Sequence, residues 1–316
     1  MEYSTLGSTG IRVSRLCFGA LTIGPLQANL PIDIGAAVIV EAFQHGVNFI
    51  DTAELYGTYP YIQKALKAVG RDQIVIATKS YAYDEKTARV SLEKALKELN
   101  VDTIDIFLLH EQESEHTIKG HWEALEYFIK MKEKGILRAV GISTHHIRAV
   151  KAAAKLKEID VIHPIVNILG LGIQDGTIEE MLDAVLDAHQ VGKGIYGMKP
   201  LGGGNLISSY DQCFDFVLSL SALDAIAVGM QSKEEVAANV LRFEGRTIPE
   251  RIKATLKSVP RKLHIDFWCE QCGQCAVHCS HKALSMKNNR LEVDSSRCVL
   301  CGYCSHYCPN FCIKIV

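Results

Sequence analysis

Residues 73–110 read QIVIATKSYAYDEKTARVSLEKALKELNVDTIDIFLLH, and this stretch holds one complete succession of strand, helix and strand. Its two ends are short apolar runs. Its middle, residues 85–100, places apolar side chains three and four positions apart with charged residues between them. The ends are typical of buried β-strands, and the middle is typical of an amphipathic helix that covers them. The stretch therefore predicts two parallel strands joined by a crossover helix.

The same alternation extends on both sides of this stretch, from about residue 17 to residue 242. Eight apolar runs can be distinguished, in chain order RLCFGAL, VNFIDTA, QIVIATK, TIDIFLLH, RAVGIS, DVIHPIV, GIYGMKP and DAIAVGM. Eight strand and helix units in this length predict an α/β fold of the closed (β/α)8 type, the TIM barrel, because an open doubly wound sheet usually has fewer strands. No GxGxxG motif follows the first run, which also disfavours a dinucleotide-binding open sheet.

The composition of the chain fits a globular protein with room for a second, smaller unit. It has 316 residues, of which 48% are hydrophobic and 22% are charged, and its formal net charge is −2. No long block of Lys or Arg is present, so the charges give no reason to expect nucleic acid or an anionic membrane as a partner. The first residues lack the layout of a secretion signal, and no run approaches the roughly 18 apolar residues of a membrane span. We therefore expect a cytoplasmic location.

Cysteine is concentrated near the C-terminus in two similar runs. Residues 269–280 read CEQCGQCAVHCS and residues 298–309 read CVLCGYCSHYCP, and together they hold eight of the eleven cysteines. Thiols in the cytoplasm are kept reduced, so this density points to metal or redox chemistry before structural disulfides. A single run could bind zinc, but zinc sites more often use separated cysteine pairs. Cys17, Cys213 and Cys312 lie outside the two runs and are interpreted as small apolar residues.

Polar residues stand at the ends of three successive predicted strands. Asp51, Lys79 and His110 end the second, third and fourth apolar runs, and a tyrosine, Tyr56, follows on the loop after the second. In a TIM barrel these strand ends carry the catalytic groups. Each residue alone has an ordinary alternative, as a helix cap, an exposed lysine or a buried structural histidine. Together they predict a site in which Lys79, paired with Asp51, lowers the pKa of Tyr56, while the histidine orients a carbonyl group.

The motifs DTAELYG, IATKS and FLLH stand in this order on successive predicted strands. They resemble the catalytic tetrad of the aldo-keto reductases, and the resemblance covers the whole barrel. It implies reversible reduction of an aldehyde or ketone by NAD(P)H. The implied roles are orientation by Asp51, acid and base catalysis by Tyr56, lowering of the tyrosine pKa by Lys79 and positioning of the carbonyl by His110.

The same resemblance implies where a nicotinamide cofactor binds. PLGGGN at residues 200–205 follows the seventh strand, where barrels often hold phosphate, and GMQSKEEVAANV at residues 229–240 is similar to the family segment that grips the adenosine end. The implied cofactor-binding residues are Gly19, Ala20, Ser143, Thr144, His163, Met198, Lys199, Pro200, Leu201, Gly202, Gly203, Ser232 and Asn239. Of these, the histidine is equally well explained as a buried structural residue.

Three positions depart from the family pattern. Glu235 stands where many relatives have an arginine for the 2′-phosphate, Met198 where a stacking tyrosine is common, and Thr144 where an asparagine contacts the carboxamide. An acidic side chain would repel the 2′-phosphate, so the choice between NADH and NADPH stays open. The other two departures leave room for a flavin.

The two cysteine runs share the spacing C-x2-C-x2-C-x3-C, and a proline follows the second. They resemble the bacterial ferredoxins, in which the fourth cysteine of each run ligates the cluster of the other run. The resemblance implies two [4Fe-4S] clusters, one held by Cys269, Cys272, Cys275 and Cys308, and the other by Cys298, Cys301, Cys304 and Cys279. We therefore predict a barrel at residues 1–262 and a small α+β ferredoxin-like domain at residues 263–316, which depends on its clusters for much of its stability.

A nicotinamide transfers two electrons as hydride, whereas an iron–sulfur cluster transfers one, so a flavin would be the usual intermediary. Three hypotheses remain open from the sequence. The first is a reductase of carbonyl or alcohol substrates whose clusters connect the barrel to an electron carrier of the ferredoxin type. The second is a ferredoxin- or flavin-linked redox enzyme that does not use nicotinamide, and the third is a non-enzymatic iron–sulfur sensor or binding protein. The cysteine-rich domain is expected near the barrel mouth, where the longer C-terminal tail of the family would otherwise lie.

Overall fold

The computed structural model describes residues 1–316, which form fourteen strands and twelve α-helices. The strands are Tyr3–Thr5 (β1), Arg12–Ser14 (β2), Leu16–Gly19 (β3), Phe49–Asp51 (β4), Val75–Ser80 (β5), Ile104–Leu109 (β6), Leu137–Thr144 (β7), Val161–Pro164 (β8), Gly194–Met198 (β9), Ala225–Gly229 (β10), Leu263–Ile265 (β11), Leu284–Lys287 (β12), Arg290–Val293 (β13) and Ile313–Ile315 (β14). The α-helices are Ile32–Gln44 (α1), Tyr59–Val69 (α2), Glu85–Leu99 (α3), Glu115–Gly120 (α4), Trp122–Glu133 (α5), Ile147–Ala154 (α6), Ile178–Gln190 (α7), Tyr210–Ser219 (α8), Lys233–Phe243 (α9), Glu250–Ser258 (α10), Gln274–Val277 (α11) and Tyr303–His306 (α12).

Eight parallel strands close into a barrel in the order β10-β3-β4-β5-β6-β7-β8-β9. The ring closes where Gly229 of β10 pairs with Gly19 of β3. Each of the eight apolar runs identified in the sequence overlaps one of these strands, and helices lie between them along the chain. The predicted (β/α)8 barrel is therefore confirmed.

The core has two layers, one inside the barrel and one between the barrel and its helices. The inner cluster comprises 14 buried residues and the outer cluster 62. The hairpin of β1 and β2 contributes Leu6, Ile11 and Val13 to the inner cluster, and Gly7 in its turn lies against Gly194 at the start of β9. The hairpin thus closes the barrel at the amino ends of the strands, which leaves their carboxyl ends as the open face.

Helix α3 illustrates how the sequence sets the helices of the barrel. The Asp84 side chain caps its first turn by accepting a hydrogen bond from the backbone N–H of Thr87 at 2.7 Å, and Asn100 ends it in the left-handed region with φ 55°. Its buried face includes Ala88 and Leu92, which pack in the outer core cluster. None of the twelve α-helices combines the length and the apolar character that crossing a membrane requires.

The C-terminal part of the chain forms two small antiparallel pairs, β11 with β14 and β12 with β13. The turn between β12 and β13 is formed by Asn288 and Asn289, whose φ angles are 47° and 59°. Two successive left-handed residues are what a tight two-residue hairpin turn needs. A small domain is therefore present at the C-terminus, and its boundary at residue 263 stays a prediction.

The C-terminal domain packs directly on the loop that follows β9. Asn205 Nδ2 donates a hydrogen bond to the backbone oxygen of Ile313 at 2.9 Å. A Cβ on Gly204 would overlap the carbonyl of Ile315, and a Cβ on Gly302 would lie 2.5 Å from the backbone oxygen of Asn205. The glycines allow two stretches of backbone to approach each other, since any side chain would separate them. The PLGGGN motif thus has a packing role in addition to the phosphate-binding role predicted for it.

Candidate active site

Asp51, Lys79 and His110 meet at the open face of the barrel because they stand near the carboxyl ends of β4, β5 and β6. Lys79 Nζ donates hydrogen bonds to Asp51 Oδ2 at 2.8 Å and to the backbone oxygen of Thr52 at 2.7 Å. The side chains of the ion pair are only 1% and 7% exposed. The ammonium group is therefore held in one place and enclosed.

Tyr56 completes this group from the short 3-10 helix Glu54–Tyr56 that follows β4. Its hydroxyl lies 3.5 Å from His110 Nε2, and Lys79 Nζ lies 4.9 Å from the centre of its ring. Tyr81 stacks on His110 with 4.5 Å between ring centres. His110 Nδ1 is buried and has no hydrogen-bond partner. The structure thus brings together the four residues proposed from the sequence, while their catalytic roles stay predictions.

The pKa values of Tyr56 and His110 move in opposite directions. Burial, followed by the charges of Asp51 and Glu111, raises the pKa of Tyr56 well above its usual value. Burial and the nearby Lys79 lower the pKa of His110 well below its usual value. Burial outweighs the effect of the Lys79 ammonium group, whose charge Asp51 offsets, so the net pKa of Tyr56 is raised, and a lowering contribution from Lys79 stays a prediction. Both rings are neutral, so the phenol carries a proton that it can donate.

A second tyrosine, which sequence reasoning missed, fixes the other side of the Asp51 carboxylate. Tyr196 of β9 donates a hydrogen bond to Asp51 Oδ1 at 2.9 Å. His163 of β8 stacks on Tyr196 with 3.8 Å between ring centres, and its Nε2 lies 3.7 Å from the same Oδ1. Its Nδ1 lies 2.6 Å from the backbone oxygen of Tyr196. The sequence signal was a tyrosine in the middle of the apolar run GIYGMKP, where the barrel interior leaves a hydroxyl in need of a partner.

A cavity of about 1090 Å³ opens above these residues. Asp51, Tyr56 and His110 line it, whereas Lys79 lies behind them. The C-terminal domain provides part of the wall, through Asp266, Phe267, Trp268, Leu300, Lys314 and Ile315. The cysteine-rich domain therefore lies at the barrel mouth, as expected from the sequence, and a ligand in this cavity would touch both parts of the chain.

The cofactor-binding residues implied by the resemblance divide into two groups. Those that line the cavity are Gly19, His163, Met198, Lys199, Pro200, Leu201, Gly203 and Asn239. The remaining five, which do not line it, are Ala20, Ser143, Thr144, Gly202 and Ser232. Ser143 Oγ accepts from the backbone N–H of Glu111 at 3.0 Å, and Thr144 Oγ1 donates to the backbone oxygen of Gln112 at 2.6 Å. Ser232 caps α9. The hydroxyl groups of these three residues thus serve the backbone.

Glu235, which was expected to repel a 2′-phosphate, is engaged in other contacts. It accepts hydrogen bonds from the backbone N–H of Gln231 at 2.7 Å and from the guanidinium of Arg261 at 3.0 Å. Arg261 lines the same end of the cavity, as do Lys253 and Lys257 of α10. The Arg261 guanidinium offsets the negative charge of the Glu235 carboxylate. The lysines therefore make this end of the cavity positive in spite of Glu235.

The eight cysteines of the two runs separate into the two groups that the ferredoxin pattern implies. Cys279, Cys298, Cys301 and Cys304 line one small cavity. In the other group, burial and the neighbouring Cys308, Cys269 and Cys272 raise the pKa of Cys275 to about 11. Leu300, between two cysteines of the first group, also lines the large cavity. One cysteine group is thus a single side chain away from the cavity wall.

The donor set of the cysteine groups suits iron–sulfur clusters better than single ions. No three His, Cys, Asp or Glu side chains converge as closely as the ligands of one metal ion. A four-iron cluster binds one cysteine at each iron and so sets its ligands farther apart. Backbone N–H groups point at the sulfurs, from Ala283 to Cys279 Sγ at 3.3 Å and from Cys312 to Cys308 Sγ at 3.1 Å. Such donors stabilise thiolate ligands.

The closed barrel, with Tyr56, His110 and a buried Lys79–Asp51 pair at its mouth, has the arrangement of a (β/α)8 enzyme. The model of the aldo/keto reductase family matches residues 15–243, and that of the 4Fe-4S binding domain matches residues 291–314. The chain belongs to the aldo/keto reductase family and carries an iron–sulfur binding domain at its C-terminus. It is accordingly an enzyme of the oxidoreductase class.

Similar proteins include named reductases and dehydrogenases. The chain is 28% identical over 217 residues to L-galactose dehydrogenase from Arabidopsis thaliana, and the alignment covers 65% of this chain and 67% of that protein. It is 28% identical over 187 residues to a methylglyoxal reductase from Yersinia pestis, with 56% and 65% covered. The structure is similar to that of an aldo-keto reductase from Bacillus halodurans in its holo form, with a TM-score of 0.66, 22% identity and 81% and 95% of the two chains covered. At this identity the structural likeness bears on the fold alone.

Proposed function

We propose that this protein reversibly reduces an aldehyde or ketone with NAD(P)H, and that two [4Fe-4S] clusters connect its barrel to a one-electron carrier. The observation that carries the proposal is the position of the Tyr56 hydroxyl, 3.5 Å from His110 Nε2 at the cavity. Behind these two groups lies the buried ion pair of Lys79 and Asp51. Two donors next to a fixed positive charge are suited to protonating a carbonyl oxygen.

The side chains would perform the proton-transfer half of the reaction. Bound NAD(P)H supplies the hydride that reaches the carbonyl carbon. The carbonyl oxygen accepts hydrogen bonds from the Tyr56 hydroxyl and from His110 Nε2, which orient it. Tyr56 then gives its proton to this oxygen, and Lys79, 4.9 Å from its ring centre, stabilises the negative charge that develops on the phenol. Asp51 holds the Lys79 ammonium group in place, and Tyr196 holds the Asp51 carboxylate in place.

Replacement of one hydroxyl group tests this assignment. Tyr56→Phe removes the proton donor and should lower kcat/KM for carbonyl reduction by about 10²- to 10⁴-fold. The matched control is Tyr61→Phe, which removes a hydroxyl that donates to the backbone oxygen of Leu30, away from the cavity. The measurement is NAD(P)H oxidation with a panel of aldehydes and ketones. Equal rates in the Tyr56 variant and the wild type would exclude the proposed acid.

The cluster part of the proposal is supported by the two cysteine groups and by the match to the iron–sulfur domain model. Carbonyl reduction by hydride uses both electrons of NAD(P)H, so exchange with a one-electron carrier would need a bound group that divides the pair, of which a flavin is the usual one. The domain forms part of the cavity wall, where such a group would lie between the barrel and the clusters. Thiolate ligands of this kind persist in a reducing compartment, so we place the protein in the cytoplasm. Anaerobic purification followed by iron and sulfide analysis and electron paramagnetic resonance tests the number of clusters.

A flavin-linked enzyme that does not use nicotinamide is the second candidate. It is favoured by one observation: the hydroxyls of Ser143 and Thr144, implied as cofactor-binding residues, are bonded to the backbone and do not line the cavity. Mass analysis and absorbance of anaerobically purified protein distinguish the two candidates. A bound flavin, together with cluster reduction by substrate without NAD(P)H, would favour the second. Turnover of NAD(P)H without a flavin favours the first.

A further inference from the structure

We propose that Lys199 and Lys314 bind an anionic group of the substrate, and hence that the substrate is an oxo acid or the corresponding hydroxy acid. The inference rests on the carbonyl reductase function proposed above. Lys199 directly follows β9 of the barrel, and Lys314 lies in β14 of the C-terminal domain. Both line the large cavity. The site is therefore formed jointly by the barrel and the cysteine-rich domain.

Phe311 brings the two lysines to one place. The ammonium groups of Lys199 and Lys314 lie 5.4 Å and 3.5 Å from the centre of its ring. Lys314 Nζ also donates to the backbone oxygen of Phe311. Lys199 Nζ lies 2.8 Å from His145 Nε2, and burial lowers the pKa of His145 well below its usual value, so this ring is neutral and accepts. Both amino groups are thus positioned before any ligand binds. Burial, followed by the charge of Lys199, lowers the pKa of Lys314 to about 7, and a bound anion beside it would favour its charged form.

The acidic groups nearby do not neutralise Lys199 by direct contact. Asp266 lies 3.5 Å from Lys314 Nζ and 3.2 Å from the imidazole of His264. Glu111 accepts a hydrogen bond from the Tyr81 hydroxyl at 2.7 Å. Lys199 is left with a neutral histidine as its hydrogen-bond partner. An ammonium group in a cavity wall without a paired carboxylate favours an anionic ligand, since a charge-assisted hydrogen bond offsets the cost of its desolvation.

The backbone at Lys199 gives a second, independent reason. Its φ angle is 59°, in the left-handed region that favours glycine. Retaining a lysine at a strained position is typical of a residue whose side chain has a function.

The position of the lysine relative to the tetrad limits the ligand. Lys199 lies close enough to His110 for its charge to contribute to the lowered pKa of that ring, after burial and Lys79. The carbonyl oxygen would lie at Tyr56 and His110, so the anionic group belongs to the same small molecule. A small molecule with a carbonyl group at the tetrad and an anionic group at Lys199 is an oxo acid.

Paired ligands test the inference without depending on turnover. We would measure the Kd of benzoylformate and of its uncharged methyl ester by calorimetry on the holo-protein, in wild type and in Lys199→Met and Lys314→Met. The control is Lys119→Met on α4, which removes the same charge from an exposed side chain. We expect the acid to bind about 10- to 100-fold more weakly to each cavity variant, with the Kd of the ester unchanged.

Two results would overturn the inference. One is an unchanged Kd for the acid in Lys199→Met, or no binding of the acid by wild type. The other is weaker binding of NADPH with an unchanged Kd for the acid, which would assign the lysines to the cofactor phosphates. If Lys314→Met unfolds, as thermal unfolding would show, the Lys199 variant decides alone. Lysine-dependent binding of the acid without any carbonyl reduction would reject the proposed function and retain the anion site.

Discussion

Gly204 lies directly against the backbone carbonyl of Ile315, so that the loop after β9 and the strand β14 touch without a side chain between them. The same loop contributes Lys199, Pro200 and Leu201 to the cavity wall. Its position therefore depends on the C-terminal domain, which is held there by contacts of this kind. The iron–sulfur domain is part of the binding cavity irrespective of any electron that it transfers.

Gly204→Ala should weaken this contact. The new Cβ would overlap the Ile315 carbonyl and would also be strained at φ 86°. The matched control is Gly70→Ala, at φ 87° with no atom within 4 Å of the new Cβ, which isolates the backbone strain. We expect both variants to lose about 1 kcal/mol of unfolding free energy through strain, and Gly204→Ala to lose about 1–3 kcal/mol more through overlap. Denaturant unfolding and hydrogen exchange at residues 311–316 measure the difference, and equal losses would contradict it.

The buried ion pair should make Asp51 important for stability as well as for chemistry. Asp51→Asn leaves the Lys79 ammonium, 1% exposed, without its counter-charge. We expect a loss of about 3–5 kcal/mol in the free energy of unfolding. Lys79→Met combined with Asp51→Asn removes the uncompensated charge and should recover part of this loss. Chemical denaturation of the single and double variants gives the coupling free energy between Asp51 and Lys79. If the two losses simply add, the ion pair does not contribute to stability.

The barrel was predictable from the sequence because each strand repeats a local pattern. Asp51, Lys79 and His110 could be placed together because strand ends of a closed barrel face one side. Tyr196 could not be assigned to Asp51 in the same way, since the two are 145 positions apart and only the closed ring of strands brings them within 2.9 Å. For the same reason the position of Lys314 in the cavity wall could not be predicted, because it depends on how the C-terminal domain packs on the barrel.

The residues taken over from the family pattern show a different limit. A motif identifies a position, but not the direction of its side chain. Ser143 and Thr144 occupy the end of β7 as expected, yet their hydroxyls bond to the backbone of residues 111 and 112. A motif also does not show how deeply its residues are buried. Burial raises the pKa of Tyr56, and this effect outweighs the charge of the lysine that the motif places beside it.

The pH dependence of carbonyl reduction should reflect the two shifted groups. The pKa of Tyr56 is raised above its usual value of about 10, so the phenol keeps its proton throughout the ordinary range. The pKa of His110 is lowered below its usual value of about 6.5, so the ring stays neutral on the acidic side as well. We expect kcat/KM for an uncharged aldehyde to be flat from about pH 6.5 to about pH 9 and to fall only above about pH 10. A decline with a midpoint near neutrality would show that the tyrosine pKa is lowered instead.

Variants of two nearby cysteines, Cys308 and Cys312, distinguish a cluster ligand from a packing residue. Cys308→Ala removes an implied ligand, whereas Cys312→Ala removes a buried thiol whose Sγ lies 3.6 Å from the backbone oxygen of Asn310. Cys308→Ala should reduce the iron content of anaerobically purified protein from about eight to about four atoms per chain, because one of two [4Fe-4S] clusters is lost. Cys312→Ala should keep about eight, since a packing residue binds no iron. Iron and sulfide analysis decides between them, and equal iron in the two variants would reject the implied ligand set.

Loss of one cluster should also destabilise the domain, because cluster binding supplies folding free energy to a unit of this size. Added chelator should therefore raise proteolysis after residue 262 more in Cys308→Ala than in Cys312→Ala.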